Sequence, residues 1–349
     1  MKRLYTFAIA LLAVVFTFNV NAQEKQYKVS TIAFYNLENL FDTINDPDIF
    51  LNDEFTPEGD KNYNTKIYEE KLERLSSVIL KIGADFSKLP PAVVGVSEVE
   101  NATVIEDLIN KTELKNYGYD YVHVDGPDER GVDVGLLYRK SVFEVSDYKS
   151  ISLKFDFDEK DKTRDHLLVS GKFDGEEMHF IVNHWPSRRG GEKVSRPKRN
   201  AAGDRTREIV DSLLDLDKDA KIVVMGDFND DPVNESVKDH LRTKRKKSDL
   251  SPGDLFNPFA QLFRDGVGSG AYRDKWNLFD QLIISQGLAL GEPDTYKYYA
   301  SHVYNKPELT QREGRFKGYP WRTYVGDTYM GGYSDHFPSF IYLIKEIKN

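Results

Sequence analysis

The 349-residue chain contains no cysteine. No disulfide can form in any compartment, and thiolate metal sites and cysteine nucleophiles are excluded. Stability must therefore come from a packed core, for which the 40% hydrophobic content suffices. The chain also lacks an excess of positive charge, with 48 Lys and Arg against 57 Asp and Glu, a net charge of −9. So acidic a protein is no generic nucleic-acid coat, and any grip on phosphate must rest on local clusters. No internal repeat, low-complexity tract or Gly-, Ser- or Pro-rich linker divides it.

The apolar run from Phe7 to Phe18 is too short to span a bilayer comfortably. Lys2 and Arg3 precede it, and small or apolar residues at Val20 and Ala22 follow. This order predicts a signal peptide over residues 1–22, cleaved after Ala22, and a secreted or periplasmic protein. Cleavage removes Lys2 and Arg3 and no acid, leaving the mature chain two units more negative. One domain over 23–349, acting as a monomer with no membrane span, is expected.

Runs rich in Val, Ile, Phe and Tyr predict strands at Lys28–Tyr35, Ala92–Ser97, Tyr119–Val124, Val132–Tyr138, His166–Phe173, Met178–Asn183, Lys221–Met225, Gln281–Ile284 and Phe340–Ile344. Leu72, Leu75, Val78, Ile79 and Ile82 fall at helical spacing, predicting a helix over Ile67–Ile82. Val104–Asn110 and Thr206–Leu214 are shorter candidates. Many strands and few long helices give an α+β class, two packed sheets with helices outside. Long loops are expected at Asp42–Asn64, at the basic Arg188–Arg207 and at Asn305–Tyr333. The basic run Arg242–Lys247 reads as an exposed helix end or loop rather than a nucleic-acid patch.

Four strand runs end directly in groups able to ligate a metal or hold phosphate. Phe34-Tyr35 leads into Asn36-Leu37-Glu38, Val96 into Ser97-Glu98, Val182 into Asn183-His184, and Met225 into Gly226-Asp227-Phe228-Asn229. One such junction is a turn or cap; four suggest a rim where strand ends converge. Phosphoester cleavage needs a hard cation on a non-bridging oxygen, an oriented water and compensation of developing negative charge. Glu38, Glu98 and Asp335 suit Mg²⁺ or Mn²⁺, with Ca²⁺ a further candidate. Asp227 can hold or deprotonate the water, and Asn229 can donate to phosphate. Asp280 can orient His336 and favour its charged form.

In this order the segments FYNLENLF, VGVSEVEN, RGVDVGLLYR, NHWPS, GDFND, WNLFDQLIIS and YSDHFP resemble those of the endonuclease/exonuclease/phosphatase superfamily, from about Thr31 to Pro338. That group includes pancreatic-type deoxyribonuclease, abasic-site endonucleases, inositol polyphosphate 5-phosphatases and bacterial neutral sphingomyelinases. Singly, each segment is more often an ordinary turn or structural residue; together their order is specific. The resemblance implies a four-layered α/β/β/α sandwich with the site at one edge of the sheets. It implies in-line attack of water on a phosphoester, with His184, Asp227, Asn229, Asp280 and His336 catalytic. Asn36, Glu38, Glu98 and Asp335 would hold the ion, and Asn183 and Arg130 would contact substrate.

An extracytoplasmic endonuclease is the first reading of the substrate. Arg188, Arg189, Lys193, Arg196, Lys198 and Arg199 could form a basic wall beyond His184, and Trp321, with Tyr319, Arg322 and Tyr324, could stack on bases. Packing of these aromatics within their own loop is the competing reading. A phosphatase or phospholipase on a small phosphorylated substrate is the alternative, although no long apolar hairpin suggests membrane docking. A non-catalytic binding protein of this fold is the third, opposed by the presence of every expected catalytic side chain.

Overall fold

A computed structural model describes residues 25–347; the expected signal peptide at residues 1–22 lies outside them. Two large sheets dominate. The first has six strands in the order β14 (Lys297–Val303), β17 (Ser339–Ile347), β1 (Gln26–Leu40), β2 (Val93–Val99), β4 (Asp133–Arg139) and β3 (Tyr119–His123). The second has seven, in the order β5 (Phe143–Ile151), β6 (His166–Phe173), β7 (Glu176–His184), β8 (Ile222–Asp227), β13 (Asp280–Ser285), β10 (Leu255–Phe256) and β9 (Thr243–Lys244). Two small hairpins, β11 (Gly270–Tyr272) with β12 (Lys275–Asn277) and β15 (Tyr324–Val325) with β16 (Thr328–Tyr329), complete the strands.

The layers follow from strand periodicity. Successive side chains of a strand point to opposite faces, and here both faces are covered. Ile32 and Phe34 of β1, Val223 and Met225 of β8, Leu282 and Ile284 of β13, and Ile341 and Leu343 of β17 form the core between the sheets. Their neighbours Ala33, Tyr35, Phe340 and Tyr342 face an outer core against helices α1 (Thr65–Ile79) and α3 (Ala102–Asn110). Ile222, Val224 and Ile283 face the other outer core, against α4 (Glu192–Leu216). This explains the continuous apolar runs, since strands buried on both faces lose the usual alternation. The result is the expected four-layered α/β/β/α sandwich. The short helices α2 (Ala84–Ser87), α5 (Phe259–Arg264) and α6 (Gln286–Ala289) are accessory, with Phe259 and Leu288 joining the central core. Among the described residues no helix is long and apolar enough to cross a membrane.

Each expected strand is present. Helix α1 starts where the Asn64 side chain accepts from the Ile67 N–H (3.2 Å), and α3 where Asn101 accepts from Val104 (3.1 Å). The main correction concerns Arg188–Arg207, which is not a loop: from Glu192 onward it is the first half of the 25-residue α4. Pro197 and the pair Gly190-Gly191 obscure that start. The core-facing positions there are Ser195, Arg199, Ala202, Gly203 and Thr206, which erase the apolar stripe. Arg199 is wholly buried, its Nε 2.8 Å from Asp230 Oδ2. The run Arg242–Lys247, expected as an exposed helix end or loop, includes strand β9; Arg242 pairs with Asp211, and Lys247 lies over Tyr298. Strands β5 and β14 escape the sequence pattern because they are sheet edges, β5 largely exposed and β14 half-buried without a regular alternation.

Candidate active site

Topology brings the polar strand ends together. β1 and β2 run parallel with Asn36 beside Ser97, so Glu38 and Glu98 emerge at one end of the first sheet. β7 and β8 run parallel with His184 beside Asp227. β13 is antiparallel to β8 and begins at that same end, Asp280 opposite Asp227. β17 begins there too, Ser339 opposite Phe34, so residues 334–338 stand over the rim.

The backbone at this rim is locally unfavourable. Glu38, Asn39, Glu98 and Asn229 all have left-handed conformations, with φ of 49°, 54°, 59° and 49°. Such geometry costs on the order of 1 kcal/mol for a residue other than glycine. Side-chain acceptors hold it in place. Asn36 Oδ1 accepts from Glu38 N (2.9 Å), Glu98 Oε2 from Asn39 N (3.0 Å), and Asp227 Oδ1 from Asn229 N (2.9 Å). Gly226 is required by close approach: a Cβ there would lie 2.3 Å from the Asn183 carbonyl oxygen.

Asp227 is the centre. Its Oδ2 accepts from Asn36 Nδ2 (3.2 Å) and lies 3.7 Å from His184 Nε2 and 3.9 Å from His336 Nε2. His184 Nε2 is also 3.7 Å from Glu98 Oε1. The opposite nitrogen of His336, Nδ1, is 2.7 Å from Asp280 Oδ2. Asp335 Oδ1 is 4.0 Å from His336 Nε2, and Asp335 Oδ2 is 3.4 Å from Arg322 Nη2. Glu38 Oε2 accepts from Thr323 N (2.6 Å), whose hydroxyl accepts from the buried Lys71 Nζ (2.7 Å). All nine residues expected to be catalytic or metal-holding thus share one rim.

The electrostatics separate their roles. Burial, with help from the carboxylates of Asp280 and Glu98 and against the pull of His336, raises Asp227 to about 7. Burial and the nearby Asp335 raise Glu38 to about 7, although Lys71 opposes them. Burial disfavours a charged His336, yet Asp280, Asp227 and Asp335 outweigh it and hold the ring well above its ordinary range. His184 is driven the other way, by burial and by Arg164 and Arg130, and stays neutral. Two buried carboxylates pushed upward, beside Glu98 and Asp335, mark an excess of negative charge that a cation would relieve. The all-oxygen donor set of Asn36, Glu38, Glu98 and Asp335 fits a hard divalent ion. The group Asp227, Asp280 and His336 is compact enough to hold an ion, but the 2.7 Å bond at Nδ1 makes it a carboxylate–imidazole pair with Nε2 facing the centre.

The expected substrate contacts fare unevenly. Arg189 and Arg322 line a cleft of about 850 Å³ beside His336, with Arg188, Tyr272, Arg273 and Lys275. Arg188 is partly committed, donating to Asn229 O (2.9 Å) and Asp230 Oδ1 (3.0 Å). Arg130 Nη2 is 3.7 Å from Glu98 Oε1. Asn183 is a correction: it is wholly buried, donates to Ile181 O and Met225 O, and accepts from Trp185 and Thr206. It ties β7 to β8 and α4 and does not reach the cleft. Trp321 is another: its Nε1 donates to Met330 O (3.0 Å), and its ring packs edge-on against Tyr333. Sequence reasoning missed Arg164 and Asp128, a buried pair 2.9 Å apart. Arg164 donates to the carbonyls of His184 (3.2 Å) and Trp185 (2.8 Å), and the Trp185 carbonyl also anchors Asn229 Nδ2 (3.0 Å). It also missed Lys71 and the β11–β12 hairpin. A lone charged residue reads as surface unless its distant partner is known.

Comparison with known proteins identifies the family and the fold. The model of the Endonuclease/Exonuclease/phosphatase family matches residues 31–345. Among curated proteins none matches this sequence. Similar solved structures include D. rerio TDP2 humanised by 14 mutations, at 15% identity and TM-score 0.55, covering 90% of this chain and 99% of that one. The human Nocturnin catalytic domain with bound sulfate has 15% identity and TM-score 0.54, covering 93% and 97%. A Bacteroides thetaiotaomicron mannosyl-6-phosphatase has 16% identity and TM-score 0.53, covering 90% and 99%. At these identities the likeness is one of fold. With the family match spanning nearly the whole described chain, this protein belongs to the endonuclease/exonuclease/phosphatase family.

Proposed function

We propose that this protein is a divalent-metal-dependent phosphodiesterase, exported on its first 22 residues, that cleaves polynucleotide as an endonuclease by in-line attack of water. The observation that carries the hydrolytic reading is the convergence on Asp227 of His184, His336, Asn36 and Glu98 from both sheets. Mg²⁺ or Mn²⁺, held by Glu98 with Asn36, Glu38 and Asp335, would supply Lewis-acid charge at a non-bridging oxygen. The chain's own groups do the rest. Asp227, fixed by Asn36 and by the Asn229 N–H, orients the water and takes its proton. Asn229 keeps one amide hydrogen on Trp185 O and has the other for phosphate. His336, kept charged by Asp280, donates from Nε2 to a phosphate oxygen. Neutral His184 donates to phosphate or the leaving oxygen.

An extended substrate is supported by the shape of the rim. The 850 Å³ cleft shares Arg189 with a second hollow on the His184 side, and Arg322 and Asp335 with a third beside Glu38. The shared residues place the cleft between the two smaller hollows, room for more than one nucleotide unit. One observation favours the second reading, a compact phosphorylated substrate such as a sugar phosphate. Much of the expected basic wall is spent internally: Arg188 and Arg199 on Asp230, and Lys198 on Asp158 and Asp161.

Hydrolysis of bis-p-nitrophenyl phosphate and DNA with Mg²⁺ or Mn²⁺, abolished by EDTA, is the expected outcome. Activity that survives EDTA would overturn the metal-dependent reading. A panel of DNA, RNA, nucleotide, sugar phosphate and phospholipid at fixed metal and salt separates the substrate classes.

A further inference from the structure

We propose that the hollow on the His184 side of the rim is a second anion site, taking a phosphate of the substrate next to the one being cleaved. The inference rests on the phosphodiesterase reading and narrows it to substrates with a neighbouring phosphate.

The hollow has a volume of about 500 Å³ and lies between the turn carrying Asp128–Arg130, the segment Asp161–Arg164, and the start of α4. Five cations line it, Arg130, Lys162, Arg164, Arg189 and Lys198, against Asp128, Glu129 and Asp161. Two of the cations are neutralised within the wall: Arg164 by Asp128 at 2.9 Å, and Lys198 by Asp161 at 2.8 Å. Lys162 and Arg189 have no ion pair among the described residues, and Arg130 lies between Glu98 and Asp128 at 3.7 Å from each. The carboxylates closest to Arg130 are 3.7 Å away, beyond hydrogen-bonding distance. In a chain of net charge −9 this is a local reversal of the field, and it adjoins the reaction centre.

A further feature points the same way. Thr163 on the wall is 4% exposed, and its hydroxyl has no partner among the described residues. Val194 and Ser195 of the first turn of α4 complete the wall on that side.

The position suits an adjacent phosphate. Arg130 reaches from the hollow toward Glu98, and Pro186 and Ser187 on its wall lie two and three residues after His184. Arg189 belongs to both this hollow and the 850 Å³ cleft, so a phosphodiester backbone can leave one and enter the other. A simple diester such as bis-p-nitrophenyl phosphate has nothing to place here.

The test compares p-nitrophenyl esters of thymidine 5′-phosphate with and without a 3′-phosphate, and of thymidine 3′-phosphate with and without a 5′-phosphate. At least one pair should show KM lower by on the order of tenfold for the doubly phosphorylated ester, the scale of one charge-assisted hydrogen bond. Added NaCl should shrink that advantage. Lys162→Glu should abolish it while leaving bis-p-nitrophenyl phosphate turnover unchanged. Hydrolysis of every ester with equal KM within both pairs would overturn the second site alone. So would an advantage that Lys162→Glu leaves intact. No hydrolysis of any ester would overturn the phosphodiesterase reading, and this site with it.

Discussion

Asp280→Asn isolates one charge at the centre of the site. Asp280 is wholly buried and its Oδ2 sits 2.7 Å from His336 Nδ1. Asparagine keeps the shape and an acceptor oxygen, so the ring remains oriented, but the charge is lost. Asp227 and Asp335, at 3.9 and 4.0 Å from Nε2, are then the remaining carboxylates favouring the imidazolium. A hydrogen bond to a charged group is worth about 2 kcal/mol, or about a 30-fold change in the ratio of charged to neutral ring. Burial pushes the same way once Asp280 is neutral. With His336 donating in the transition state, kcat/KM should fall by about 10² or more. The deficit should grow with pH. In the parent His336 stays charged through neutrality, whereas in the variant it loses its proton at lower pH. Stability has the opposite trend. A raised folded pKa contributes stability that is complete below the unfolded histidine value of about 6.5 and is lost as pH rises through the folded one. The variant's loss of urea stability should therefore be larger at about pH 6 than in alkali. The assay is bis-p-nitrophenyl phosphate hydrolysis at saturating Mg²⁺ from about pH 6 to about pH 9. Parental activity, or a deficit constant across pH, would refute the role given to the pair.

Asp227 and Glu38 are both raised to about 7, so without metal their share of stability is present in acid and lost as pH rises through about 7. Mg²⁺ competes with protons for such groups, and calorimetry should show a larger Mg²⁺-dependent increase in Tm at about pH 8 than at about pH 5; equal increments would count against Glu38 and Asp227 facing the ion. Lys71→Met removes the buried ammonium on Thr323 that offsets Glu38. It should cost about 1–3 kcal/mol in urea unfolding above about pH 7, where the Glu38 carboxylate lacks the ammonium that offsets it. Adding Glu38→Gln should recover much of that loss, and a single-variant cost within error of zero would show that Glu38 does not depend on Lys71.

The sequence by itself determined the strands that build the sandwich and the chemistry at their ends. Local pattern sufficed, because apolar runs covered on both faces stop abruptly at Asn36, Glu98, His184 and Asp227. The order of those segments also determined the family. Tertiary structure decided which polar residues gather at the rim and which hold the frame. Asn183 neighbours His184 in sequence, yet the 3.0 and 3.1 Å bonds from its amide to Ile181 and Met225 bury it between strands. The basic stretch after Arg188 became a helix because Arg199 finds Asp230, a partner that no local periodicity reveals. Arg164 and Lys71 have no signature for the same reason. Burying a charge is affordable only beside its counterpart, and Asp128, Thr323 and Glu38 reach them only through the fold.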